Sequence, residues 1–190
     1  MPFDIEKAPW FVPQQRPLPP GRLTPTPLVI PIDDVNAILR DTVPAVAGLP
    51  RDDPGVVVWQ QEDSELAVFT EGVVLTADDG FVTMHLSVLC DQVVDRSIAS
   101  VRFAVGRRDR PAGLVMACAA RPDGPDVVVD VWADALVAFA FEVLVDVTNV
   151  VSGHVGRDTA GRALIAGSVA AAPGRLLLHP MARHAIEWSR

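Results

Sequence analysis

The sequence predicts an α+β fold: an antiparallel sheet of about six or seven strands packed on one long helix, with an extended proline-rich arm in front. Three observations carry this reading. The stretch VWADALVAFAFEVLVDVTNVVSGHVG (131–156) is the longest and most apolar helical pattern in the chain. The middle of the chain alternates apolar and polar residues between turn dipeptides. The first 31 residues hold nine prolines, which fix φ, remove donors and keep the chain extended. The expected organisation is an arm over 1–31 and one α+β domain over 32–190.

In the middle of the arm sit Trp10, Phe11 and Val12. A solvated linker has no use for three large apolar side chains in a row, so they are expected to lie on the domain's own surface or on a second subunit. The following PIDDVNAILRDTVPAVAGLP reads as a short amphipathic helix. Asp33 or Asp34 is placed to cap it, Val35, Ile38 and Leu39 share a face, and Pro44 and Gly48 break it up.

Strands are expected next. Segments 56–60 and 66–70 are separated by the polar turn QEDS, and 73–76 and 81–89 flank Asp79-Gly80, a strong hairpin signal. In the latter strand Val82, Met84, Leu86, Val88 and Cys90 alternate with Thr83, His85 and Ser87, as in a sheet covered on one side. Val101, Phe103 and Val105 continue the apolar face, with Ser100 and Arg102 opposite. RRDRP turns into 114–119, whose small residues suit a central strand, and RPDGP turns into 127–131, a strand expected to feed the helix.

The helix pattern itself runs from 134 to 152. Leu136, Val143, Val147 and Val150 make one ridge and Val137, Ala140, Leu144 and Val151 the next, with Ala135, Ala138, Glu142, Asp146 and Asn149 opposite. Phe141 and Val145 fall outside the main ridge, one turn apart, and need a second surface to cover them. Asp134 suits the positive helix end and Gly153 the stop, while the internal carboxylates argue against a membrane span. Beyond it, 163–171 is expected as a strand, PGR as a turn and 176–178 as extended. Met181, Ala185 and Trp188 are expected on a terminal helical turn.

Composition bounds the function. With 190 residues, 49% hydrophobic and 21% charged, the chain has a globular composition and enough length for a substantial core. A net charge of -8 argues against nonspecific nucleic-acid binding and against an anionic membrane surface. Lys7 is the one lysine, a bias that with the wealth of Ala, Val, Gly and Pro points to a GC-rich, bacterial genome. Cys90 and Cys118 lie in apolar runs and are expected to be reduced and buried. The N-terminus lacks a basic-then-apolar export pattern, so the expected location is cytoplasmic.

Motifs are sparse. GHVGRDTAGR has the glycines of a phosphate loop but follows a helix and carries no lysine; His154 beside Asp158 is a solvated loop pair. His179 and His184 are five apart across Pro180, a poor metal spacing, and no metal or cofactor is expected. RRDR is read as a charged hairpin turn, and Ser87 and Ser100 lack a nucleophile elbow. One constellation stands out. If their strands are neighbours, His85, Arg102 and Asp130 meet on the polar sheet face, where they would bind or deprotonate a small acid; an ordinary solvated face is the simpler reading, since no nucleophile or metal set joins them.

The order short helix, antiparallel strands, long helix resembles, in topology alone, small dimeric secretion-chaperone-like domains, and is similar to helix-grip ligand-binding domains, whose sheet wraps a long helix around a cavity. The first implies a non-catalytic protein-interaction or adaptor domain that forms a homodimer through the Trp10–Phe11 arm or the Phe141–Val145 helix edge. The second implies a small-molecule-binding domain or enzyme with a pocket between sheet and helix. The first is the expectation, with a possible further protein partner and neither nucleic acid nor membrane.

Overall fold

The computed structural model describes residues 26–50, 55–61, 63–111, 117–153, 155–156 and 164–182. The fold is α+β, and its elements run β1 (Leu28–Pro31), α1 (Ile32–Val46), β2 (Val56–Gln61), β3 (Ser64–Asp78), β4 (Phe81–Cys90), β5 (Ser97–Ala104), β6 (Ala117–Cys118), α2 (Asp126–Ser152), β7 (Leu164–Ala172) and β8 (Arg175–Ala182). The strands divide into a five-stranded sheet, β2-β3-β4-β5-β6, and a three-stranded sheet, β1-β8-β7, both antiparallel. After α2 the chain does not rejoin the first sheet, and β7 instead meets the β3–β4 hairpin end. There Gly80 N donates to Ala171 O at 3.1 Å, Gly174 N to Ala77 O at 3.1 Å and Ala171 N to Gly106 O at 2.9 Å.

The Asp79-Gly80 hairpin is as read. Asp78 pairs with Phe81, Gly80 has φ 78°, and Asp78 Oδ accepts from Asp79 N at 2.8 Å. The alternation on β4 and β5 is equally faithful: Val82, Met84, Leu86, Val88, Val101 and Phe103 are all buried. Segments 66–70 and 73–76, expected as separate strands, are one fifteen-residue β3 with an irregularity between Phe69 and Val74. Gly72 sits in it because a Cβ there would stand 2.6 Å from Ser87 Cβ, so only glycine lets the two strands approach.

β3 also outruns β2, which pairs only with Ser64 to Phe69. The backbone of Leu75 is therefore open on that side, and α1 closes it. Asn36 Oδ1 accepts from Leu75 N at 2.8 Å and Asn36 Nδ2 donates to Leu75 O at 3.0 Å. Val35, Leu39 and Val43 bury the same face of α1. Neither Asp33 nor Asp34 caps this helix; Pro31 holds the N-cap position and both carboxylates lie in the first turn, where they favour the positive helix end.

Four expectations are corrected. Residues 127–131 are the opening of α2, not a strand. Pro125 at the N-cap fixes the chain direction, and Val128, Val129 and Trp132 then bury at helical spacing, overriding the strand preference of a valine run. Trp132 packs 6.3 Å from Trp59, whose ring also meets Phe139 edge-on at 5.4 Å. Segment 114–119 contributes only the edge strand β6, at the end of its sheet, while 112–116 lie outside the described residues. Cys90 is buried as expected, but Cys118 on that edge is exposed, and both are free thiols. Met181 belongs to β8, not a helix; Ala185 and Trp188 lie outside the described residues.

The helices cover one face of the five-stranded sheet. One core joins α1, α2, that sheet and the smaller one, from Val35 and Leu39 through Met84, Leu136 and Val143 to Val169 and Leu178. The strand β1 lies within the stretch read as the arm and pairs with β8 at its edge, where a proline costs no ladder bond.

Candidate interaction face

The open face of the larger sheet carries the polar cluster. His85 sits mid-β4 with Nδ1 2.9 Å from Ser100 Oγ and Nε2 3.1 Å from Thr76 Oγ1, so both ring nitrogens are taken by hydroxyls. In the ladder His85 faces Ser100, while Arg102 faces Thr83 one step along, its guanidinium 4.0 Å over the Phe81 ring. Asp130 is not with them. It lies on α2, on the opposite side of the sheet, and pairs with Arg121 at the surface. The sheet-face triad is therefore not assembled, because the residues supplying its carboxylate are helical.

Between sheet and helix the structure shows little space. The gap there is a cavity of about 10 Å³, room for roughly one water, lined by apolar groups such as Leu75, Val82, Leu144 and Leu178. His179, on β8 rather than a helix, is buried opposite Ser168, with burial lowering its pKa. His154, Asp158 and His184 lie outside the described residues, as do Trp10 and Phe11. The RRDR segment is a tight charged turn in which Arg107 and Arg110 bridge each other and Arg107 reaches Asp79 at 3.7 Å.

What the structure does gather is on the outside of α2. Counting 100° per residue, the buried Val128, Trp132, Leu136, Val143 and Val147 point into the core, and Val127, Val131, Ala138 and Val145 point away from it, while Phe141 lies at the border, part-exposed with its ring 6.4 Å from the buried Phe103. That outer row, with Asp134 and Phe141, repeats at steps of four and three residues from 127 to 145. Its valines and Phe141 are each more than a third exposed. Val150, expected on the buried ridge, is exposed too. A helix apolar on both sides is ordinarily covered on both; α2 is covered on one.

The row has a depression. Phe141, Val145 and Val46 from the end of α1 line a shallow groove of about 320 Å³, with Glu142 and Asp146 at its side. Across its 27 residues α2 carries five carboxylates, Asp126, Asp130, Asp134, Glu142 and Asp146, and no Lys, Arg or His. Phe141 and Val145 were legible in the sequence as needing cover. Val127 and Val131 were missed because their segment read as a strand; Pro125 followed by Asp126 is the helix-start signal that would have found them.

Comparison with known proteins finds no family model, curated protein or solved structure that matches the chain. Among the described residues no group of His, Cys, Asp and Glu is arranged to hold a metal ion, and no helix is long and apolar enough to cross a membrane.

Proposed function

We propose that the chain is a non-catalytic protein-interaction or adaptor domain, and that its docking face is the outer side of α2 with the groove at Val46, Phe141 and Val145. The observation that carries this reading is the apolar row on a helix already packed on its other side, whose own charged residues are all carboxylates, Asp130 being paired with Arg121. Apolar area supplies the affinity and the groove carboxylates Glu142 and Asp146 select the sign of the partner, so the face fits an apolar segment flanked by Lys or Arg. Two such helices from two copies would set carboxylates against carboxylates, which weakens a direct α2–α2 contact.

The test titrates the full-length protein with two labelled amphipathic peptides of equal hydrophobicity, one cationic and one anionic. The cationic peptide binds, and Phe141→Glu abolishes binding, with a thermal melt checking that the variant still folds without the Phe141 contact to Phe103. Equal binding of both peptides, or binding indifferent to Phe141→Glu, overturns the reading.

A homodimer is a second reading, favoured by a separate observation. Val56, Val58 and Ile98 are exposed on the open sheet face around the Phe69 ring, which Arg96 covers at 3.5 Å. A twofold contact there would bury each copy's patch on the other's. Light scattering of wild type and Val58→Lys tests it: a dimer that Val58→Lys converts to monomer supports it, and a monomeric wild type removes it.

A further inference from the structure

The docking face has a matching segment in its own chain. Residues 7–16, KAPWFVPQQR, place Trp10, Phe11 and Val12 between Lys7 and Arg16, with no acid among them. The groove presents the complement: Val46, Phe141 and Val145 beside Glu142 and Asp146. We propose that residues 7–16 of the same chain occupy this groove and regulate the face by autoinhibition, a foreign partner having to displace them. This rests on the interaction reading above.

Reach favours the same chain. The described structure begins just before β1, which enters α1 directly at Ile32, and the groove lies at the far end of α1. From Ile32 to Val46 the helix rises about 21 Å at 1.5 Å per residue. The twelve steps from Arg16 to Leu28 span up to roughly 40 Å when extended, enough to run back along α1. A tether of that length holds the segment at an effective concentration on the order of 1 mM, well above any working concentration of a second copy. Pro9 and Pro13 limit the conformations open to the free segment, which lowers the ordering cost of docking. The aromatic pair contributes apolar area and the two cations set its position against the carboxylates.

The experiment uses full-length protein, wild type and Trp10→Ser/Phe11→Ser, titrated with a labelled peptide of sequence KAPWFVPQQR. With an intrinsic dissociation constant of about 100 µM, a tether near 1 mM weakens binding to wild type roughly tenfold. The double variant is therefore expected to bind the peptide about ten times more tightly than wild type, and Phe141→Glu added to it removes the binding. Equal affinity for wild type and double variant, still abolished by Phe141→Glu, overturns the autoinhibition and leaves the interaction reading intact. No binding to either protein overturns the present proposal, and if the generic cationic peptide also fails, the interaction reading with it. Tighter binding accompanied by conversion of a wild-type dimer to monomer overturns the same-chain assignment, the segment then being supplied by a second copy.

Discussion

Asn36 shows how one side chain joins two elements. Its amide makes both hydrogen bonds to Leu75, at 2.8 and 3.0 Å, where β3 has lost its neighbour. Asn36→Ala leaves an N–H and a C=O without protein partners in a half-buried setting, at a cost of about 2 kcal/mol, and Asn36→Asp, which keeps only the acceptor, falls between. Urea denaturation of the three proteins measures this. His179 makes a different demand. Burial holds its pKa below the ordinary 6.5, and Nε2 has no hydrogen-bond partner among the described residues. The unfolded chain then binds the proton more readily than the folded one. Its contribution is whole above about pH 6.5, shrinks as pH falls from there toward the folded pKa, and is fully lost below that. Wild type should lose more stability between about pH 7.5 and pH 5 than His179→Gln, as thermal melts across that range would show. Such residues were invisible in the sequence. Asn36 reads as one polar position on an amphipathic helix, and nothing local says that β2 stops short of it. His179 read as half of a failed metal pair because its strand looked too short to bury it.

At the scale of elements, period was legible wherever one face was buried and the other wet. The strands β4 and β5 and the helix α1 follow their patterns because hydrophobic alternation alone fixes register there. Period failed where both faces are apolar. The run VVVDVW fits a strand or a helix by period alone, and Pro125 ahead of it together with the packing of Trp132 on Trp59 decides it. β3 reads as two segments, 66–70 and 73–76, and Gly72 between them permits a close crossing past Ser87. The core assignment of α2 is tested by Val143→Asp. Val143 is completely buried, so an unpaired carboxylate there should cost on the order of 3 kcal/mol or more. A variant that melts like wild type contradicts the packing described here.

For the whole molecule, the fold class was readable from segment order, but the partition into two sheets was not. It depends on backbone bonds between Gly80, Gly106 and β7, which join residues far apart in sequence and leave no local pattern. The candidate site was half legible. Phe141 and Val145 announced an uncovered helix edge, while the groove needed Val46 brought in from α1. The predicted polar triad dissolved once Asp130 proved helical. At this scale the account rests on charge: an apolar helix face that carries carboxylates and no cation should choose its partner by sign.

The most direct measurement of that claim is a charge reversal. Full-length Glu142→Lys/Asp146→Lys and wild type are each titrated with the cationic and the anionic amphipathic peptide, at about 0.05 M and about 0.5 M salt. Wild type is predicted to prefer the cationic peptide and the variant to lose or invert that preference, with the discrimination fading at high salt and the apolar contribution persisting. A variant that keeps the wild-type preference at low salt would contradict the account, since the selecting charges would then lie somewhere other than at the groove.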